Sequence, residues 1–337
     1  MVEPVGSLNL DTIRTAHQRV RRYIHRTPVL TNSWLNDACR ASLFFKCENF
    51  QKVGAFKARG ATNAVFALDE ETAQRGVASH SSGNHGAAVA RAAKLRGLPA
   101  YIVMPSNSAK VKIRAVESYG AQVIFCEPTE ESREIRCAEV INQTDASLIH
   151  SFENEHVIAG QGTATMELLE DVPDLDVIMC PVGGGGLLSG TAIAAKSMRP
   201  QIKVIAVEPE KANDAAQSFR AGRRLVTEKK FTIADGLRTN IGEPNFAIAQ
   251  QYVDDIVTVS EEAIVSAMRT IWETMKIVIE PSAAVPYAAI AERVVDVESK
   301  GVGIILTGGN VDLDALPWNC SRISDPGHHA STTLDAG

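Results

Sequence analysis

The chain has 337 residues, of which 45% are hydrophobic and 22% charged, and its formal net charge is −6. This length exceeds the size at which one hydrophobic core stops growing, so two domains are expected. The acidic balance gives no basic face for nucleic acid, and no apolar run approaches the roughly 18 residues of a membrane span. We therefore expect neither nucleic acid nor a membrane as a partner.

The first ten residues contain the acidic Glu3 and lack the basic-then-apolar order of a signal peptide, so a cytoplasmic location is expected. The cysteines occur without any C-x-x-C pair, and most of them lie in apolar runs. They are interpreted as reduced, mostly buried residues. The six are Cys39, Cys47, Cys126, Cys137, Cys180 and Cys320.

Short β-branched runs alternate with longer segments of helical spacing, which predicts an α/β fold with mostly parallel strands covered by helices. The tail from Cys320 has no apolar periodicity and is expected to be disordered, with its His328 and His329 solvated rather than bound to metal. Strands are predicted at residues 43–48, 76–81, 100–105, 122–127, 177–182, 203–209, 255–260 and 303–307. Helices are predicted at residues 87–95, 110–119, 130–144, 187–198 and 261–275.

Several predicted strands end in turns rich in Gly or Ser, at residues 81–86, 183–186 and 307–310. Open α/β sheets bind ligands at such turns. The four glycines at 183–186 lie between a strand and a helix, so their backbone N–H groups could surround a phosphate. A dinucleotide fingerprint is the rival interpretation, with Glu208 as its acidic residue, but Ser189 replaces the third glycine. A third interpretation is that the four glycines form a purely structural turn.

A second candidate element is the run from Gly54 to Ala61, in which Lys57 lies between a glycine turn and the start of an apolar-periodic helix. An amine held away from water has a lowered pKa and can act as a neutral nucleophile. A solvated surface lysine is the alternative. In combination with a phosphate site, Lys57 suggests a pyridoxal-phosphate (PLP) enzyme.

Four motifs, at residues 54–61, 81–86, 183–186 and 307–312, resemble in order the signatures of fold-type II PLP enzymes, the tryptophan synthase β-like fold. Within that group, LFFKCE at 43–48, IAGQG at 158–162, TIADG at 232–236 and IEP at 279–281 resemble serine racemases and serine/threonine dehydratases. The similarity extends from about Thr12 to Trp318.

The resemblance implies two open, twisted, mostly parallel sheets flanked by helices. It also implies a large PLP-binding domain at 1–75 and 153–319, a small mobile domain at 76–152, and a tail at 320–337. Lys57 would carry PLP as a Schiff base, Phe56 would pack beside the ring, Asn84 would bond the ring hydroxyl, and Thr307 would face the ring nitrogen. Gly183, Gly184, Gly185, Gly186 and Leu187 would hold the phosphate, and Ser81, Gly83, Asn84 and His85 would bind the substrate carboxylate.

Two further residues bear on the reaction. Serine racemases resemble this chain in having serine at position 82, where many bacterial threonine dehydratases have alanine. Ser82 could supply the second acid that inversion requires on the face opposite Lys57, or it could cap the following helix. Arg133 matches an arginine of the racemases that orients the substrate. Alternatively, Arg133 is an ordinary surface residue of a helix.

A metal site is implied at Glu208, Ala212 and Asp214, where two carboxylates and a carbonyl would hold Mg²⁺, Ca²⁺ or Mn²⁺. Two solvated carboxylates are the alternative. The resemblance also suggests a homodimer and an activating ATP site at Lys52, Lys112 and Tyr119. Ala87 replaces a glutamine that binds ATP in the animal racemase, which counts against ATP as an activator.

The sequence therefore predicts a PLP enzyme that acts on a small β-hydroxy amino acid. Lys57 removes the α-proton, and either Ser82 reprotonates the other face or water is eliminated to give a 2-oxo acid and ammonia. One alternative is a dedicated threonine or 3-hydroxyaspartate dehydratase without significant racemisation. Another is a non-catalytic PLP- or nucleotide-binding regulatory protein.

Overall fold

The computed structural model describes residues 7–81, 83–108, 110–227 and 231–318. The tail at 320–337, Ser82 and the pair Lys229 and Lys230 lie outside the described residues. The strands are β1 Val29–Leu30, β2 Ser42–Cys47, β3 Val77–His80, β4 Ala100–Pro105, β5 Gln122–Cys126, β6 Ser147–Leu148, β7 Val177–Pro181, β8 Lys203–Pro209, β9 Asp255–Val259 and β10 Gly301–Leu306.

The helices of the described part are α1 Leu10–Val20, α2 Ser33–Cys39, α3 Lys57–Ala67, α4 Glu70–Gln74, α5 Asn84–Arg96, α6 Lys110–Ser118, α7 Glu130–Thr144, α8 Glu155–Asp171, α9 Gly186–Met198, α10 Asp214–Ala221, α11 Glu243–Tyr252, α12 Glu261–Met275 and α13 Pro281–Ala291. Every strand and helix that the sequence predicts is present, with bounds that differ by a few residues at most. In the described residues no helix has both the length and the apolar character needed to cross a bilayer.

The strands form two sheets. The larger has the order β1-β2-β10-β7-β8-β9, and the smaller has the order β5-β4-β3-β6. All pairs are parallel except β1 with β2. The smaller sheet uses only strands between residues 77 and 148, and the larger uses strands on both sides of that stretch. The predicted α/β fold with two mostly parallel sheets is confirmed.

Helices cover both faces of each sheet because strand side chains alternate between the faces. In β7, Val177 and Met179 pack towards α12 and α13, whereas Ile178 and Cys180 pack towards α8 and α9. In the smaller sheet, Ile102 packs towards α3 and α5. Helix α3 contacts both α5 and α8, so it lies between the helix layers of the two sheets.

Two helices begin where the sequence places a cap. The Thr129 side chain accepts from the Ser132 N–H at the start of α7, and the Ser260 side chain accepts from the Ala263 N–H at the start of α12. Such caps satisfy N–H groups that have no partner within the helix. The cysteines of the described residues are free thiols, and Cys47, Cys137 and Cys180 among them are buried. Cys320 lies outside this part.

Candidate active site

A cavity of about 510 Å³ lies at the carboxyl ends of β3, β7 and β10. This is the edge at which open α/β sheets bind ligands, because the loops that follow parallel strands meet there. Both sheets contribute, since residues after β3 and after β7 face the same space. The predicted cofactor and substrate residues that line it are Phe56, Lys57, Ser81, Gly83, Asn84, His85, Arg133, Gly183, Gly184, Gly185, Gly186, Leu187 and Thr307.

Lys57 is the first residue of α3, and its amine points into the cavity. The Nζ atom donates to the Ser151 carbonyl oxygen at 2.9 Å and lies 5.1 Å from the centroid of the Phe56 ring. Burial of the amine lowers the pKa of Lys57 to about 8, and the carboxylate of Glu280 opposes that shift. At neutral pH a useful fraction of the amine is therefore neutral and nucleophilic.

The segment that carries Lys57 is tied to the end of β10. The Phe56 N–H donates to the Thr307 carbonyl at 2.9 Å, and the Gly309 N–H donates to the Gly54 carbonyl at 2.9 Å. Gly54 has φ +67°, a backbone conformation that other residues rarely adopt. Two sequence motifs that are 250 residues apart thus form one wall of the cavity.

The four glycines form a loop between β7 and α9, and bare backbone is required there. Gly185 has φ +92°, a Cβ on Gly184 would collide with the Phe152 ring, and a Cβ on Gly186 would lie 2.9 Å from the Phe152 Cα atom. Among the described residues, no side chain caps the N-terminus of α9. Its first N–H groups and the positive end of the helix dipole therefore suit an anionic group such as a phosphate.

Thr307 follows β10 and contributes the hydroxyl that the family resemblance implies beside a pyridine nitrogen. Its Oγ1 atom is buried and has no hydrogen-bond partner among the described residues. A buried hydroxyl without a partner is unfavourable unless a ligand satisfies it. Together with the Lys57 amine and the uncapped glycine loop, this hydroxyl fits PLP, which has a carbonyl, a phosphate and a ring nitrogen to bind.

Asn84, at the start of α5, lines the cavity and is held by hydrogen bonds with two side chains. Its Nδ2 atom donates to both carboxylate oxygens of Glu280, at 2.9 and 3.2 Å, and its Oδ1 atom accepts from the Asn310 Nδ2 atom at 2.9 Å. Burial raises the pKa of Glu280 to about 7, with a further increase from the nearby Asp235. Sequence analysis assigns no role to Glu280, although this residue lies in the IEP motif.

Three histidines line the cavity near Lys57. The Nε2 atom of His85 lies 2.9 Å from the Ile149 carbonyl, and because a carbonyl only accepts, this nitrogen carries the proton. Burial holds the pKa of His85 well below its usual value, so the ring is neutral. Burial also lowers the pKa of His150 to about 4, and its ring packs edge-on against His80, with the centroids 5.3 Å apart. His80 and His150 had no predicted role.

A buried network of charged residues anchors α3 behind Lys57. The Arg59 guanidinium pairs with both oxygens of Glu48, at 2.7 and 2.8 Å, and with both oxygens of Glu167, at 2.9 and 2.8 Å. The Lys46 amine donates to Glu167 at 2.8 Å. All four ionic side chains are almost fully buried, and they join α3 to α8 and to the end of β2.

The predicted metal residues lie together but do not line the cavity. Glu208 lies in the buried part of β8, and its carboxylate accepts from the N–H groups of Ala215 and Ala216, at 3.2 and 2.8 Å. The Asp214 carboxylate accepts from the Ile241 N–H at 2.7 Å. Glu208, Ala212 and Asp214 are all buried. In the part of the chain with assigned structure, no three or more His, Cys, Asp or Glu side chains form a metal cluster.

An α/β fold with a lysine, an uncapped glycine loop and a partnerless hydroxyl around one cavity defines a PLP-binding protein. The family described as "Pyridoxal-phosphate dependent enzyme" matches residues 20–308, and the chain belongs to this family. The chain is 49% identical to serine racemase of Dictyostelium discoideum, over 94% of this chain and 98% of that protein.

Two other relatives are similar over nearly their whole length. β-Hydroxyaspartate dehydratase of Paracoccus denitrificans is 47% identical, over 92% of this chain and 98% of that protein. The solved structure of maize serine racemase superposes with a TM-score of 0.90 at 46% identity, covering 93% of this chain and 96% of that one. The predicted similarity to racemases and dehydratases of hydroxy amino acids is confirmed.

Proposed function

We propose that the protein is a serine racemase that also dehydrates L-serine and L-threonine. The observation that carries the proposal is the convergence of the Lys57 amine, the glycine loop and the Thr307 hydroxyl on one cavity. Lys57 would hold the cofactor, Gly183 to Leu187 would bind its phosphate, and Asn84 and Phe56 would contact its ring. Bound PLP withdraws electrons from the substrate Cα atom and so acidifies the α-proton.

Residues of the chain would then transfer that proton and orient the substrate. Lys57, with a pKa of about 8, is suited to take it and to return it near neutral pH. Backbone N–H groups at the start of α5 would orient the substrate carboxylate, with Ser81, Gly83 and His85 on the same wall. Thr307 offers a neutral hydroxyl rather than a carboxylate, so it does not force a proton onto a ring nitrogen, which favours early loss of the β-hydroxyl.

Two outcomes follow removal of the α-proton. Proton delivery to the opposite face by Ser82 would give the other enantiomer, and loss of the β-hydroxyl would give a 2-oxo acid and ammonia. Incubation of the PLP-loaded protein with L-serine should therefore produce both D-serine, measured by chiral chromatography, and pyruvate. Pyruvate without D-serine would make the protein a dehydratase, and the absence of both products would contradict the proposal.

A second candidate function is dehydration of 3-hydroxyaspartate. It is supported by the relative from Paracoccus denitrificans and by Arg133, which lines the cavity and could bind a second carboxylate. We expect kcat/KM values for serine, threonine and 3-hydroxyaspartate to separate the two candidates. Arg133→Ala should selectively impair the dicarboxylate if Arg133 binds it, and equal effects on all three substrates would exclude that role.

The small sheet and its helices, at residues 76–152, would form the mobile domain, and residues 1–75 with 153–319 the larger one. The strand order supports this division, because the chain enters and leaves the small sheet once. Closure over the cavity would exclude water from the reacting atoms. Small-angle scattering should show a smaller radius of gyration with substrate bound, and an unchanged radius would count against closure.

The metal, the assembly and the location complete the proposal. Glu208, Ala212 and Asp214 would bind Mg²⁺, Ca²⁺ or Mn²⁺, because buried carboxylates and a carbonyl are hard oxygen ligands.

An activating ATP site has less support, since Ala87 departs from the family pattern and Lys112 forms an ion pair with Asp235. A homodimer is proposed from the family resemblance, and sedimentation equilibrium would test it; the proposed location is the cytoplasm.

A further inference from the structure

Arg224 lines the active-site cavity, and the functions described above give it no role. It lies in the segment after α10, two residues beyond Gly222, and its side chain crosses to the segment that precedes α11. The Nε atom donates to the Ile241 carbonyl oxygen at 2.6 Å. No described residue accepts a hydrogen bond from the two terminal nitrogens of its guanidinium.

Ile241, the hydrogen-bond partner of Arg224, is next in sequence to Gly242, which contacts the glycine loop directly. The N–H of Gly242 donates to the Gly184 carbonyl at 3.1 Å, and a Cβ built on Gly185 would lie 3.1 Å from the Ile241 Cγ1 atom. A further pair of hydrogen bonds between Thr227 and Asn240, at 3.0 and 3.3 Å, holds the two crossing segments together. The exposed Arg224 side chain is therefore held, through its Nε atom, at a segment that contacts the glycine loop.

The other Lys and Arg side chains that line the cavity have other partners or lie on another element. The Lys57 amine donates a hydrogen bond to the Ser151 carbonyl, Lys112 is paired with Asp235, and Arg133 lies on α7, which packs against the small sheet. The glycine loop itself offers only neutral N–H groups. A phosphate monoester carries nearly two negative charges at neutral pH, so a nearby guanidinium would add charge-assisted hydrogen bonds that the loop cannot supply.

We propose that Arg224 binds the phosphate of PLP through its terminal guanidinium nitrogens, as a positively charged complement to the glycine loop. The inference depends on the family of the chain and on the cavity, and not on which amino acid is the substrate. Arg224 is then a cofactor-affinity residue, and its loss weakens retention of PLP and not the chemistry of the loaded enzyme.

The test is a titration of the full-length, cofactor-free protein with PLP and with pyridoxal, which has the same ring and aldehyde but no phosphate. Arg224→Gln should raise the Kd for PLP on the order of tenfold, the size expected for a lost charged hydrogen bond, and leave the Kd for pyridoxal unchanged. Arg224→Lys should restore most of the PLP affinity. The matched control is Arg223→Gln, because Arg223 is exposed, as Arg224 is, but does not line the cavity.

The salt dependence of binding gives a second readout. In the wild type, added salt should weaken PLP binding more than pyridoxal binding, and Arg224→Gln should reduce that difference. Unchanged PLP affinity in Arg224→Gln would overturn the proposal. Equal weakening in the Gln and Lys variants would also overturn it, because Arg224 would then serve only to tether the Ile241 segment to the loop.

Discussion

Asn84 and Glu280 form a bidentate contact across the cavity wall, with Nδ2 to oxygen distances of 2.9 and 3.2 Å. Burial raises the pKa of the Glu280 carboxyl from 4.5 to about 7. The folded protein therefore binds this proton more tightly than the unfolded chain does. The stability that the proton provides is fully present below pH 4.5 and is lost as the pH rises through about 7.

We predict that Glu280→Gln removes this pH dependence. In cofactor-free protein, the unfolding free energy of the variant relative to wild type should increase between pH 4.5 and 7, on the order of 3 kcal/mol from the shift in pKa. Gln keeps an oxygen that can accept from Asn84. Urea unfolding at a series of pH values measures the difference, and parallel profiles would show that Glu280 has an ordinary pKa.

Arg59 should be essential for stability, because its removal leaves buried Glu48 without its ion-pair partner and leaves buried Glu167 paired only with Lys46. We expect Arg59→Met to reduce the unfolding free energy by roughly 3–5 kcal/mol. Arg26 is the control, since it pairs with Glu170 and Asp171 at the surface, and Arg26→Met should cost under about 1 kcal/mol. Equal losses of unfolding free energy in the two variants, measured with urea, would show that the buried network stabilises the fold no more than the surface pair does.

Ser82→Ala should separate the two proposed reactions. If Ser82 serves the face opposite Lys57, the variant keeps much of its L-serine dehydration and loses racemisation and elimination from D-serine by about a hundredfold or more. Chiral chromatography and pyruvate assays measure the two rates in one sample. Equal loss of both would instead give Ser82 a capping role, and unchanged D-serine formation would exclude it as the second acid.

A divalent cation should stabilise the protein through Asp214. Mg²⁺ or Ca²⁺ should raise the Tm, because a ligand that binds only the folded state stabilises it by mass action, and Asp214→Ala should abolish the rise while PLP stays bound. Glu210→Ala, at an exposed residue of the same turn, is the control and should keep the response. Identical melting with metal and with chelator would exclude the site.

The sequence predicted those elements whose periodicity is visible. Helices α7 and α12 were placed with their observed ends, because each has a side-chain cap and one apolar face. Helices α8 and α13 were not predicted, since they are buried on nearly all sides and show no amphipathic pattern. Strands β1 and β6 have two residues each, too few to produce a pattern.

The candidate site was predictable where a motif carries its chemistry, as for Lys57 and the glycine loop. Glu280 and Arg224 were given no role because their significance depends on contacts with Asn84 and Ile241, far away along the chain. The same holds for the pairing of Arg59 with Glu167. Such contacts arise only when the two sheets and their helices are packed together.

The claim that Lys57 carries the cofactor can be tested by reduction with borohydride and peptide mapping of the PLP-loaded protein. The account predicts a pyridoxyl group on Lys57 alone, and no stable cofactor or turnover in Lys57→Ala. Lys112 lines the same cavity and is the internal control. A pyridoxyl group on Lys112 or on another lysine, with Lys57 unmodified, would contradict the account.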